Sequence, residues 1–507
     1  MHAAVTWSLP FLFALLYWAS FHPLNLGFLG WVSLVPLLVY AKATSGKKAF
    51  FVAWLGGALA FGACFFWVRF TVPPAPYLLG IYKGLYVALF VVLIRRLGPL
   101  WTPVVWVALE YVRGYLFSGL PWFLLGYTQH DLLYPIQIAD LGGVWLVSVL
   151  VAFVNGAIVD PRRAPKVAAA VAVVAAAVYG AIRLPSIPMT DGPRIAIVQP
   201  NIPQDLKNIM QRDPFEGQRL ALESFDKHAA LTKRAAETKP DLIVWPEAAI
   251  YYEGLLWNAD RRDWVPEFWY RQITALSERT PAPLLIGALV AEGRGSKMSA
   301  FTNSAVTVDG GTIRERYDKV HLVPFAEYIP FTTVFPWFRD VVRAVSGVRL
   351  DNARAGEGFP VWNLGAHRYG TQICFEAIFP EISREIARNG ASFTVNISND
   401  GWFRTSGELD QMLAMARFRA IENRMHVVRA TNTGISAFIE PTGRVQSLLE
   451  MDGKRKEVEG TLTAIVKVTG ASSLFRAWGN WVAWMAVGAA AAGIGRIFFI
   501  DRKKRTA

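Results

Sequence analysis

The 507-residue chain holds only two cysteines, and they keep different company. Cys64 lies inside an apolar run, whereas Cys374 ends the β-type run Tyr369–Cys374 (YGTQIC) and is followed by Phe-Glu-Ala. A thiol with no partner in its own domain is either a small buried hydrophobe or a reactive group, and position alone leaves both readings open. Glu247 follows Trp245-Pro246 at the end of DLIVW, Asp241–Trp245. The proline fixes φ and removes a donor, which aims the carboxylate. Lys319 lies in YDKVHLVP, Tyr317–Pro324, after a further strand and turn. Brought together, these groups could transfer an acyl chain. The carboxylate takes the thiol proton, and the ammonium holds the charge that develops on the carbonyl oxygen. Most Glu and Lys side chains are solvated surface groups, so residue type and spacing do not by themselves select these three.

The elements that must position them follow from the local patterns. Strands are expected at Arg194–Gln199, Asp241–Trp245, Pro283–Gly287, Asn303–Val308, Tyr369–Cys374, Phe393–Ser398 and Thr433–Ile439. Turns are expected at Asp309-Gly310-Gly311 and Pro441-Thr442-Gly443. Helical stretches fall at 218–237, 265–278, 380–388 and 408–424. Strands and helices within one region of this size point to a layered α/β domain.

Both flanks of that region are far more apolar, in a chain that is 53% hydrophobic overall. A membrane span needs about 20 mostly apolar residues. Eight are read, at 5–21, 26–42, 49–69, 77–95, 97–117, 138–158, 166–184 and 478–500. The fifth is interrupted by Pro103 and Gly114, and the stretch after it, Leu116–Leu125, reads as re-entrant or interfacial. The first run has no basic segment before it and is followed by further spans, which argues against a cleavable signal peptide. Basic residues gather after alternate spans: Lys42, Lys47 and Lys48; Arg95 and Arg96; Arg162, Arg163 and Lys166; and Arg502, Lys503, Lys504 and Arg505. The opposite connections, 22–25 and 118–137, hold none. The positive-inside rule then puts both termini in the cytoplasm and the α/β region outside. The expected organisation is a membrane domain over 1–184, an extracytoplasmic catalytic domain over 185–477, and a last span with a basic tail over 478–507. This distribution explains the net charge of +13 without a nucleic-acid patch. Arg69, Lys83, Glu110 and Arg113 fall in or near spans. Charges there are functional candidates. The structural reading has Arg69 and Arg113 snorkelling and Glu110 paired with Arg113 one turn on.

A family resemblance singles out the three chemical groups. WPE at Trp245–Glu247, the lysine of YDKVHLVPF and the cysteine of ICFE resemble, in order, the Glu-Lys-Cys triad of the nitrilase (carbon–nitrogen hydrolase) superfamily. Further matches are QPNIPQDLK at Gln199–Lys207, PFAEYIPF at Pro324–Phe331, NISNDGWF at Asn396–Phe403, and ARFRAIENR followed by TNTGISAFIEPTGR. With the membrane frame, the whole is similar to the membrane-embedded branch of that superfamily, the apolipoprotein N-acyltransferases. The resemblance implies an αββα sandwich at the outer face of a bacterial inner membrane. It implies a ping-pong reaction needing no cofactor or metal. Cys374 takes an acyl chain from a phospholipid donor, phosphatidylethanolamine by preference, and passes it to the α-amine of the diacylglyceryl-cysteine of an apolipoprotein acceptor. Glu247 serves as base and acid and Lys319 stabilises the tetrahedral intermediate. Glu327 and Glu376 match supporting acidic residues, Glu327 orienting Lys319; for Glu376 a surface salt bridge is the competing reading.

A donor that lives in the bilayer requires a site open to lipid. Phe325, Tyr328, Phe331, Phe335 and Trp337 lie in an insert, 325–350, that would endanger solubility as a free loop but suits a lipid-facing lid. Excluding water there would protect a thioester. Two segments depart from the family pattern: Asn208 stands where an aromatic residue is common, and Arg404–Asp410 replaces a Gly-Asp-Ser stretch and Pro-His pair. The histidines have no partners at metal-ligand spacing, and no nucleotide-binding glycine motif is present. Two other functions remain in view: a membrane-tethered amidase or nitrilase acting on a small carbon–nitrogen substrate, and a transporter with an outer sensor domain, for which Lys83 and Glu110 are the only hints.

Overall fold

A computed structural model describes residues 3–506 except 207–208, 210–212, 295–296, 333 and 347–352. Asn208 therefore lies outside the described residues. The chain divides into two compact units: one of Met1–Ile187, Ser406–Glu422 and Ser472–Ala507, the other of Pro188–Thr405 and Asn423–Ala471.

The first unit is helical. Among the described residues, five of its helices are long and apolar enough to cross a membrane: Gly46–Cys64, Ala75–Leu97, Pro135–Val159, Arg163–Arg183 and Trp481–Phe499. The other three expected spans are shorter or broken. The first contains the apolar helix Thr6–Ala19. The second divides into a 3-10 turn, Gly27–Trp31, and the helix Val35–Ala43. The fifth is a helix over Thr102–Tyr115, after which the chain runs irregularly through Leu116–Ser118 and Leu125–Gln129. Helices Gly46–Cys64 and Ala75–Leu97 cross closely because Gly80 and Gly84 share a face. A Cβ at Gly84 would stand 2.7 Å from the Trp54 carbonyl oxygen. Small residues four apart permit such an approach.

The last turn of the helix Thr102–Tyr115 and the irregular segment after it leave carbonyls without a helical partner, and buried charged side chains take them up. Lys83 donates to the Arg113 and Leu120 carbonyls at 3.3 and 3.2 Å. Arg113 donates to those of Trp122 and Phe123 at 3.1 and 2.8 Å. Glu110 accepts from the Leu125 amide at 2.7 Å and the Trp106 indole at 2.9 Å. The expected Glu110–Arg113 pair is present at 3.4 Å. Arg113, however, does not snorkel. It is buried, where the Trp122 carbonyl and the Phe123 carbonyl (shared with the Tyr17 hydroxyl) accept from it. Arg69 lies over the rings of Phe66 and Phe70.

The second unit is built on two sheets. Its strands are β1 (Thr190–Gln199), β2 (Leu242–Val244), β3 (Ile250–Asn258), β4 (Asp263–Trp264), β5 (Leu284–Arg294), β6 (Lys297–Asp309), β7 (Thr312–Asp318), β8 (Val361–Leu364), β9 (His367–Ile373), β10 (Phe393–Ser398), β11 (His426–Thr431), β12 (Ala437–Ile439), β13 (Val445–Leu448) and β14 (Gly460–Val468). One sheet runs β14-β1-β2-β5-β3-β4, with β6 and β7 extending from β5; the other runs β13-β12-β11-β10-β9-β8. The central strands are parallel in both: β1 with β2, β2 with β5, and β9 with β10 and β10 with β11.

Alternation along each strand separates two cores. Ile195, Ile197, Leu242 and Val244 of the first sheet meet Ile373, Val395, Ile397 and Val428 of the second between the sheets. On the other face of the first sheet, Ala196, Val198, Ile243 and Trp245 pack under helices Pro214–Ala236 and Phe268–Glu278. Helix Pro380–Arg388 covers the outer face of the second sheet, where Gly370 leaves room for Ile386 and Gln372 bonds Ser383 at 3.0 Å. The unit is thus a four-layer αββα sandwich, the nitrilase-like fold that the motifs imply.

Candidate active site

Three strand ends deliver the three expected groups. β2 stops at Val244, and Trp245, Pro246 and Glu247 continue beyond it. Trp245 is fully buried, and its indole donates to Thr232 at 2.8 Å, which anchors the loop. β7 stops at Asp318, and the Lys319 amide donates to the Asn303 carbonyl at 2.8 Å. β9 stops at Ile373, and Cys374 turns with φ +52° into a short 3-10 helix. That left-handed conformation is costly for a side-chain-bearing residue, and such strain gathers at working sites.

Glu247 and Lys319 are both buried. Lys319 Nζ donates to Glu327 at 3.0 Å and lies 3.4 Å from Glu247 Oε1. Asn303 Nδ2 bridges the two carboxylates, at 2.7 Å to Glu247 and 2.9 Å to Glu327. The other Glu247 oxygen accepts from the Asn399 amide at 2.8 Å. Glu327 Oε2 accepts from the Val323 amide at 2.8 Å, which closes the turn that carries it.

Cys374 keeps part of its surface open. Burial pushes its thiol up, the Glu247 charge adds to this, and Lys319 pulls the other way; the sulfur keeps its proton at rest. A thiol held in this way would need a base to act as a nucleophile, and Glu247 is the buried carboxylate beside it. Burial alone would drive the Lys319 ammonium down, but Glu327 and Glu247 outweigh it and hold the group above the ordinary lysine range. Lys319 is a fixed positive charge, suited to an oxyanion rather than to proton transfer.

Glu376 forms no surface salt bridge. It is fully buried, and accepts from the Tyr317 hydroxyl at 2.7 Å, from the Val320 and His321 amides at 2.8 and 3.1 Å, and from the Ile373 amide at 2.8 Å. It ties the turn before Cys374 to the loop that carries Lys319. Burial raises its carboxyl, and the Ile373, Tyr317 and His321 donors oppose the rise.

Of the expected lid residues, Phe325, Phe331, Phe335 and Trp337 are exposed, Trp337 at 63%, and Tyr328 is half-buried. Phe325 and Glu327 share one turn, in which the Phe325 amide donates to the Tyr328 carbonyl at 2.7 Å. The carboxylate turns in to Lys319 while the Phe325 ring faces out. Arg404, the first residue of the second departure, is exposed with φ +53°.

Asn303 and Asn399 were not expected. Asn303 reads as one polar position of an alternating strand, and Asn399 acts through its backbone. Only the NISNDGWF motif could have pointed to Asn399.

The family model for the apolipoprotein N-acyltransferase N-terminal domain matches residues 13–157, and that for carbon-nitrogen hydrolase matches residues 194–473. A curated apolipoprotein N-acyltransferase of Geobacter metallireducens is 30% identical over 497 residues, covering 91% of this chain and 89% of the relative. The chain belongs to the apolipoprotein N-acyltransferase family. The family's Vibrio cholerae member is 29% identical, with 96% of this chain and 95% of the relative covered. Among solved structures, Saccharomyces cerevisiae Nit3, of the nitrilase superfamily, is similar at 18% identity with a TM-score of 0.40, covering 56% of this chain and 92% of that one.

Proposed function

We propose that this chain N-acylates lipoproteins, moving an acyl chain from a phospholipid to the amine of a diacylglyceryl-cysteine through a thioester on Cys374. The observation that carries the reading is the cluster of buried Glu247 and Lys319 with half-buried Glu327 beside Cys374, in a chain of that family. In the first half-reaction Glu247 takes the thiol proton as sulfur attacks the ester carbonyl of the donor, phosphatidylethanolamine by preference. The oxyanion forms against the Lys319 ammonium. Collapse expels the lysophospholipid alkoxide, which receives the proton from Glu247. In the second half the acceptor amine attacks the thioester, Glu247 takes its proton, and the thiolate leaves and is reprotonated. Glu327 and Asn303 hold Lys319 and Glu247 in register, and Glu376 holds the two loops together. No cofactor is required.

The rest of the reading concerns the membrane. The domain over 1–184, the catalytic domain over 185–477 and the anchor over 478–507 place eight spans in a bacterial inner membrane. Both termini are cytoplasmic and the catalytic domain is periplasmic. The basic residues after alternate spans support this orientation. The exposed Phe325, Phe331, Phe335 and Trp337, with Tyr328, suit a lid that meets lipid and keeps water from the thioester.

The test is reconstitution of the full chain in phosphatidylethanolamine vesicles with a diacylglyceryl-cysteine peptide. The expected product is a peptide heavier by one acyl chain, amide-linked at the terminal amine, with lysophospholipid formed alongside. Hydrolysis of a small soluble amide with no transfer to the peptide would favour the tethered amidase instead.

A further inference from the structure

Behind Cys374 lies a second buried polar chain that the reaction as written does not use. Val395 and Ile397 of β10 fill the core between the sheets, so Asn396 and Ser398 face the opposite side. Arg429 of β11 stands beside Asn396 in register and donates to its Oδ1 at 2.5 Å. The same guanidinium meets Asp400 Oδ2 at 2.6 Å. The other Asp400 oxygen accepts from the Ser398 hydroxyl at 2.5 Å. All four side chains are buried. Gly434 closes the far wall, since a Cβ there would stand 2.0 Å from Asp400 Oδ2. β10 and β9 run parallel with Ile397 beside Ile373, so Ser398 and Cys374 come next to each other at neighbouring strand ends, and the Ser398 hydroxyl favours the thiolate there.

A hydroxyl has one proton and two lone pairs. With its proton directed to Asp400, Ser398 presents a lone pair to the sulfur and accepts from the thiol S–H. Once Glu247 removes that proton, the Ser398 hydroxyl can rotate from Asp400 to the thiolate, and the Arg429 guanidinium still neutralises Asp400. No bond other than a hydrogen bond changes.

We propose that Ser398, held by Asp400 and through it by Arg429, is a positioning residue that fixes the Cys374 sulfur and receives the thiolate when it forms. This rests on Cys374 being the nucleophile. The next residue of the same strand end, Asn399, donates its amide to Glu247, so β10 sets the base and the nucleophile from adjacent positions.

The test uses the full-length enzyme in phosphatidylethanolamine vesicles, with S398A, S398T and D400N. Two quantities are read: the rate of acyl-enzyme formation against donor concentration, and the pH profile of Cys374 alkylation by iodoacetamide. C374S supplies the blank for Cys64. The charged groups facing the sulfur are Glu247, Lys319 and Asp400, and these variants leave the first two in place. In S398A, acylation and alkylation are expected to slow by about tenfold, the size of one hydrogen bond to a charged group, with half-saturation by donor unchanged. S398T recovers most of the loss, and D400N displaces the alkylation profile. S398A and D400N that both keep the wild-type profile and rate overturn the proposal. If S398A does not fold, D400N decides alone: a profile that stays in place overturns it. Failure of wild type to form any acyl-enzyme would refute the role of Cys374 itself, a separate outcome.

Discussion

Gly287 offers a way to move the base without touching it. It lies on β5, and its carbonyl accepts from the Ala249 amide at 2.8 Å. A methyl group there would stand 2.3 Å from the Pro246 carbonyl oxygen, 2.7 Å from Glu247 Cα and 2.9 Å from the Ala248 nitrogen. All three are backbone atoms, so no flexible side chain can turn aside. Restoring a contact of about 3.5 Å requires the Trp245–Ala248 loop to yield by about 1 Å. Glu247 would then lose its 2.8 Å bond from the Asn399 amide and its place against Lys319. A misplacement of about 1 Å in a reacting group costs on the order of a hundredfold in rate. Overpacking of this kind costs roughly 1–3 kcal/mol of stability. The assay compares acyl-enzyme formation and thermal unfolding of full-length G287A with G470A, a glycine that has open space around its Cβ position. The expectation is a loss of about two decades in acylation for G287A and none for G470A. G287A that acylates at the wild-type rate would refute the reasoning that this loop is sterically fixed.

Glu376→Gln puts an amide nitrogen where a carboxylate oxygen accepts, leaving one of the Ile373, Val320 and His321 amides unpaired. The cost is about 2 kcal/mol; felt in the transition state, it slows acylation about thirtyfold, measurable in single turnover. Arg113→Met strips the Trp122 carbonyl of its donor, leaves the Phe123 carbonyl to the Tyr17 hydroxyl alone, and leaves Glu110 buried without its charged partner. A loss of roughly 3–5 kcal/mol is expected, read as a lowered melting temperature in detergent. His426 is held down at about 3 by burial and then by Lys467, whereas an unfolded histidine titrates near about 6.5. The folded state keeps it neutral, so its contribution is complete above about pH 6.5 and is lost as the pH falls toward 3. At pH 5 the loss is about 2 kcal/mol, and His426→Gln should flatten the fall in denaturant midpoint between pH 7 and pH 5.

Much of the layout is legible because strand ends and motifs coincide. The strand Phe393–Ser398 is found at its expected bounds, and the expected helix at 380–388 runs Pro380–Arg388. The strand expected over Thr433–Ile439 is confined to Ala437–Ile439. Thr433 instead accepts from the Glu457 amide, and Asn432 reaches Asn399 with its side chain. Thr433, Ile435 and Ser436 carry no local sign that the backbone there will bond a loop rather than a neighbouring strand. β3 was missed because Glu253-Gly254 interrupts it with two positive φ angles. β5 pairs on either side of the interruption, at Ile250 and again from Leu255. In the helical unit, hydropathy marks the long helices, but not the broken second one or the stapling of 113–125. Lys83 and the Leu120 carbonyl are 37 residues apart, and nothing local announces their meeting. The same holds for Asn303, which lies 56 residues from Glu247.

The central claim is that Cys374 carries the acyl chain. Intact mass spectrometry of the purified full-length protein and of Cys374→Ser, each incubated with phosphatidylethanolamine and no acceptor, tests it most directly. Wild type should gain the mass of one acyl chain, released by hydroxylamine as a thioester would be, while Cys374→Ser forms no thioester. Wild type that stays unmodified, or a hydroxylamine-labile adduct that persists in Cys374→Ser, would contradict the account.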